Sequence, residues 1–163
     1  MLSRLIFELV CRSKAAAPFL IIAAGFQLMT PLPADAADWI GRVKTLEGIV
    51  YVERDGSREI LSAGDRVMLG DWLETDGSGS VGIAFRDNTI ISIGPRTRLL
   101  LREYAFAPAD DQLGFALDLV RGTLLYISGI IAKLLPDAVE VRTPASTVAV
   151  RGTRFLAAVE PES

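Results

Sequence analysis

The sequence predicts an all-β domain of short, glycine-punctuated strands in a sandwich or a roll- or solenoid-like arrangement, with one short helix near residues 130–135. Two observations carry that expectation. Between Ile49 and Tyr104, runs of alternating apolar residues recur, each closed by a polar, turn-forming break. Val81, Ile83 and Phe85 share one parity, Asp87-Asn88-Thr89 interrupts, and Ile91 and Ile93 follow. Gly94-Pro95 then interrupts again, and Leu99 and Leu101 resume. Residues two apart on a strand face the same way, so each run offers one apolar face. The same alternation persists toward the carboxyl end, in Phe115, Leu117 and Leu119, then Val139 and Val141, then Val148 and Val150.

In chain order, residues 39–44 open the domain. Residues 46–56 make the first hairpin, with Asp55-Gly56 at its turn, because glycine reaches the positive φ that tight hairpin loops require. Ile49 and Tyr51 face opposite to Val50 and Val52, so both faces of that strand are expected to be partly covered. Gly64-Asp65-Arg66-Val67 and Gly70-Asp71-Trp72-Leu73 stand six residues apart. Asp65 and Asp71 are expected to tie these turns by accepting backbone hydrogen bonds. Gly77-Ser78-Gly79 leads into the central runs, and Pro95, which cannot donate to a ladder, ends one of them. Residues 113–120 satisfy a strand or a helix, and Gly122 is expected to start another short segment. The stretch from Ile130 to Leu135 lacks period-two polarity and stops at Pro136, which predicts the helix. Thr143-Pro144 separates the last two strand candidates.

The amino end reads as a cleavable export signal over residues 1–36, leaving a domain over 37–163. Arg4, Arg12 and Lys14 precede an apolar stretch, and Ala34-Asp35-Ala36 offers a small-x-small cleavage pattern. The apolar stretch spans 15 residues, 15–29, short of the ~20 that cross a bilayer comfortably. A periplasmic or secreted product of about 126 residues without a membrane-spanning helix is therefore expected. Cys11, the single cysteine, falls in the leader, so the product has no disulfide to gain. The whole chain of 163 residues carries −3. Without the leader's Arg4, Arg12, Lys14, Glu8 and Asp35, 14 basic and 18 acidic side chains remain, or −4. The basic residues form no block or recognition helix, which argues against a nucleic-acid partner.

The chain contains no histidine. That excludes a Ser-His-Asp triad, a Cys-His pair and any histidine-bearing zinc site. Asp65, Asp71, Glu74, Asp76 and Asp87 lie near expected turns, where capping accounts for them. Their spacing matches neither a calcium loop nor a pair of glycosidase carboxylates. Gly77-Ser78-Gly79 precedes a strand and lacks the strand–turn–helix setting of a dinucleotide site. No cofactor is expected. Trp39 and Trp72 each have two open readings, core packing or recognition of a partner or a sugar. Arg151 follows an apolar strand, where its guanidinium is expected to bridge local carbonyls or a carboxylate across the Gly152 turn, with Thr153 beside it.

Together these phrases resemble the FecR-like periplasmic domain. Gly48-Ile49-Val50-Tyr51-Val52, Leu61-Ser62-Ala63-Gly64-Asp65 and Gly70-Asp71-Trp72-Leu73-Glu74-Thr75 look like its opening unit. Residues 79–85, Asp87-Asn88-Thr89 and Ile93-Gly94-Pro95 look like its middle, with Asn88 where glycine is more usual. Residues 143–155, with Arg151-Gly152-Thr153, look like its end. The series covers about residues 41–158. The best-known members relay a signal from an outer-membrane receptor to a sigma factor across the inner membrane. The resemblance implies a non-enzymatic, exported interaction or regulatory module, a stand-alone member without the cytoplasmic anti-sigma and membrane segments. Its expected partner is an envelope protein, with a carbohydrate or peptidoglycan as the alternative and a carboxylate hydrolase as a weaker one. The residues marked for interaction or for shaping turns are Trp72, Asp87, Arg151, Gly152 and Thr153.

Overall fold

The computed structural model describes residues 39–149 and 154–160. They form twelve strands: β1 (Trp39–Glu47), β2 (Val50–Arg54), β3 (Ser57–Ile60), β4 (Arg66–Met68), β5 (Trp72–Thr75), β6 (Ser80–Phe85), β7 (Ile90–Ile93), β8 (Arg98–Ala107), β9 (Gln112–Ile127), β10 (Val139–Arg142), β11 (Thr147–Ala149) and β12 (Arg154–Val159). One short helix, α1 (Ile130–Leu134), lies between β9 and β10. The fold is thus all-β with the helix where the sequence placed it, in a single curled sheet ordered β3-β2-β5-β8-β9-β7-β6-β1-β4. β10 and β12 also pair with β9, and β11 pairs with β10. Every pairing is antiparallel except β10 with β9.

The turn chemistry explains the hairpins. Asp55 and Gly56 both have positive φ, at 50° and 78°, between the closing partners Arg54 and Ser57. Two positive φ values define the mirror-image turn whose twist suits a two-residue hairpin. Asp65 accepts the Ser62 N–H at 2.7 Å, and Asp71 accepts the Met68 N–H at 2.8 Å. The two similar glycine-aspartate phrases therefore use one device.

β9 organises the domain. The sequence suggested a break at Gly122, and a helix as one reading of 113–120; instead one strand of 16 residues runs through both. Tertiary pairing decides this: β8 covers residues 112–121, and β7 covers 124–127. Phe115 and Tyr126 are eleven positions apart, which would separate them by about 36 Å in a straight strand. Their ring centroids lie 5.7 Å apart, so the strand turns a sharp corner. Gly122, at φ +91°, sits at that corner, where a Cβ would meet the Thr97 Cα at 2.5 Å. Thr97 secures the bend. Its hydroxyl accepts the Thr123 N–H at 3.0 Å, and its own N–H donates to the Thr75 hydroxyl at 2.9 Å.

The two arms of β9 face each other across the core. One arm completes the cross-strand row Val52–Leu73–Leu99–Leu119. The other completes Val43–Ile83–Ile91–Tyr126–Phe155. All but Phe155 are buried. Each such aliphatic side chain contributes about 1.5–3 kcal/mol on burial, and a one-residue slip would turn the whole row outward. The alternation noted in the sequence is the source of both rows.

Candidate functional site

Asp87 lies at the β6–β7 turn and is fully buried, as is Thr89. Its carboxylate accepts the Thr89 hydroxyl at 2.6 Å and the Thr89 N–H at 3.2 Å. The Ile131 N–H approaches the same carboxylate at 3.4 Å, and the Ile130 N–H donates to the Asp87 carbonyl at 2.7 Å. The turn therefore caps the start of α1. Asn88 takes the positive φ of 65° that the turn requires, a conformation asparagine tolerates. Gly129 lets the helix approach, since a Cβ there would collide with the Thr89 nitrogen and the Asp87 carbonyl oxygen. Tyr104 closes the cluster by accepting the Asp87 N–H at 2.9 Å. Burial, reinforced by the Asp87 charge, pushes the Tyr104 phenol well above its ordinary range. Tyr104 and Gly129 were not singled out from the sequence, because their partners lie 17 and 40 positions away.

Asp71 is also fully buried. It receives a two-pronged contact from Arg54, with Nε and one terminal nitrogen each 2.7 Å from a carboxylate oxygen. The Asp71 hydrogen bond, opposed by burial, raises the Arg54 pKa. Arg54 continues the inward parity of Val50 and Val52, and a cation on an apolar face calls for a buried acid. That signal was available in the sequence.

Trp72 lies on the opposite, outward face of β5 and is half-buried. Strand register places it in the row Arg58–Glu53–Trp72–Leu100–Asp118–Arg142, beside the row Ile60–Tyr51–Glu74–Arg98–Arg121. Glu74 is the hub, with Arg121 at 2.9 Å and Arg58 at 3.3 Å. The Arg98 guanidinium lies 4.8 Å from the Trp72 ring centre, and Arg58 lies 4.0 Å from that of Tyr51. Arg102 links Asp118 at 2.8 Å to Glu140 at 3.3 Å. Hydrogen bonding from Arg142 holds the Glu140 carboxyl below its ordinary value. Trp39, half-buried at the start of β1, has three guanidinium groups, of Arg42, Arg66 and Arg86, within 5.8 Å of its ring.

A groove of about 930 Å³ opens between the β10–β11 hairpin and β12, lined by Val120, Val141, Val148, Phe155, Ala157 and Val159 among others. Arg151, Gly152 and Thr153 lie outside the described residues. The structure thus gathers Asp87 into a buried turn and sets Trp72 on an outer face, and it does not bring the two together.

The FecR protein family matches residues 71–163. The chain belongs to the FecR family. As a FecR-family protein it is a non-enzymatic interaction or regulatory module of the periplasm or cell envelope, and envelope proteins are its class of partner. Among solved structures, a cell surface anchoring domain is 39% identical, over 37% of this chain and 82% of that one, with a TM-score of 0.36. No curated protein matches. Among the described residues, no group of three or more His, Cys, Asp or Glu side chains is placed to hold a metal ion. No helix among them is long and apolar enough to cross a membrane.

Proposed function

We propose that this FecR-family chain is delivered by a leader over residues 1–36 and acts as a 37–163 domain that docks an envelope protein on the outer face around Trp72. One observation carries the reading: two complete cross-strand rows present Tyr51, Trp72 and Leu100 among paired arginines and carboxylates. None of these side chains belongs to the core cluster. Aromatic anchors within a rim of paired charges are the usual composition of a protein interface. The buried Asp87 turn supports this face indirectly, by fixing β6, β7 and α1. The Arg151-Gly152-Thr153 corner is proposed to organise the approach to β12.

Glycan binding is the weaker reading. Sugar stacking needs a bare aromatic face, whereas Arg98 lies over Trp72 and Arg58 over Tyr51. Photo-crosslinkers placed at Trp72 and Tyr51 in growing cells should each yield the same discrete protein adduct, and one at the buried Leu73 should not. Absence of any protein adduct at both outer positions, with intact folded protein in the envelope fraction, would refute the docking face.

A further inference from the structure

The edges of the sheet are not equally protected. A free strand edge exposes unpaired N–H and C=O groups, and proteins blunt such edges with charge or by keeping them short. β3, at one end of the sheet, carries Arg58 and Glu59; β4, at the other, and β11 are three residues each. β12 is different. It spans six residues, Arg154 to Val159, and its five residues after Arg154 are all apolar. It pairs only with β9 among the described residues, so its second edge is open. Leu156 is 70% exposed, and Val120 and Val148 beside the groove are 40% and 44% exposed. Charge stands only at the two ends of the apolar run, Arg154 before it and Glu160 after it. Neither has an ion-pair partner among the described residues.

We propose that the open edge of β12 pairs antiparallel with β12 of a second copy of this chain. The pattern is self-complementary about Ala157. Antiparallel pairing centred there sets Arg154 of each copy opposite Glu160 of the other, and Leu156 opposite Ala158. Phe155 then faces Val159, and the two Ala157 residues meet at the axis. Parity is kept throughout, because Arg154, Leu156, Ala158 and Glu160 lie on one side of the strand and Phe155, Ala157 and Val159 on the other. The small Ala158 leaves room for Leu156, and opposite charges in directly facing positions are favourable cross-strand pairs. Such an arrangement is the isologous contact expected of a two-fold dimer. A single strand pair is small against the about 1,200–2,000 Å² of a stable interface. The dimer therefore also covers the neighbouring groove, and it dissociates on dilution. The second copy is favoured over a foreign peptide because the chain itself supplies both members of each charge pair. The inference does not depend on the docking face around Trp72, which lies on other strands.

Charge exchange tests it. Sedimentation velocity over a concentration series, on the protein as cells process it, should show a reversible monomer–dimer equilibrium. Arg154→Glu alone and Glu160→Arg alone should each weaken dimerisation at least tenfold. Their double variant should recover to within about threefold of the original. Equal mixing of the two single variants should give a heterodimer, because each then supplies what the other lacks. Both residues are exposed, and unchanged thermal melts would show that folding is intact. A parent protein that stays monomeric to millimolar concentration overturns the proposal and leaves the edge to another partner. A dimer that survives both single reversals overturns it as well, because that dimer uses another face.

Discussion

Replacing Asp87 with alanine removes an acceptor that two backbone segments and two side chains share. The Thr89 hydroxyl at 2.6 Å and the Thr89 N–H at 3.2 Å are good hydrogen bonds. The Ile131 N–H at 3.4 Å and the Tyr104 hydroxyl at 3.5 Å are too long to count for much. Hydrogen bonds to a charged group contribute about 1.5–3 kcal/mol each, so truncation costs about 3–6 kcal/mol. That is a large share of the ~5–15 kcal/mol by which a domain is stable. Asp87→Asn keeps one acceptor oxygen but turns an amide toward existing donors, and should cost about 1–3 kcal/mol. Asp76→Ala is the control. It removes a similar contact, Ser78 N–H to carboxylate at 3.0 Å, at a solvent-accessible turn, and should cost no more than ~1 kcal/mol. Urea unfolding followed by the fluorescence of Trp39 and Trp72 reads all three, with unchanged slopes if only the folded state is affected. A loss below ~1 kcal/mol for Asp87→Ala, or one equal to that of Asp76→Ala, would refute the claim that the buried carboxylate holds this turn together.

Other outcomes follow from the same geometry. Burial pushes the Tyr126 phenol up to about 12. Folding therefore favours its protonated form, and this stability is full below the unfolded value near 10 and lost as pH rises from about 10 toward 12. Thr89 stands near enough to oppose the shift, yet its hydroxyl is committed to Asp87 and Gly129, and the Tyr126 hydroxyl makes no hydrogen bond among the described residues. Tyr126→Phe should thus be neutral or stabilising by up to about 1 kcal/mol at pH 7 and should flatten the alkaline fall in urea midpoint. Gly122→Ala adds a Cβ against the Thr97 backbone at positive φ; it should cost at least ~3 kcal/mol or prevent folding, as read by circular dichroism. Arg54→Met leaves buried Asp71 without its cation. Arg54 is a third exposed, so water softens the loss to about 2–3 kcal/mol, and Arg54→Met with Asp71→Leu should regain part of it in a double-mutant cycle.

What the sequence revealed was whatever depends on neighbours. Alternation at Val81, Ile83 and Phe85 gave the inward face of β6, and the Asp55-Gly56 pair gave the β2–β3 hairpin. Pro136 bounded α1. The corner in β9 was harder, because Gly122 looks like any strand-ending glycine until Thr97, 25 positions earlier, is seen against it. The same holds for Asp87. Its turn role was legible from Asp-Asn-Thr alone, but its burial under α1 depends on Gly129 and Tyr104, which only the tertiary fold brings near. Trp72 could be read either way because parity places it outward, while Arg98, which lies over its ring, sits on another strand.

The family match begins at Asp71, and the strands divide around that position. Everything that pairs with β9 lies after it, as do β5 and β6, so the corner and both core rows are founded within the matched part. The segment before it adds β1 to β6 and β2 to β5, extending the rows by Val43 and Val52. Arg54 joins the two parts through Asp71 itself. The outer rows are mixed: Tyr51, Glu53, Arg58 and Ile60 come from before the boundary, and Trp72, Glu74, Arg98 and Arg121 from after it. On the docking face proposed above, a partner would read both halves. Glu53 and Arg58 can therefore change sign, and with it the choice of partner, without disturbing the corner on which the fold depends.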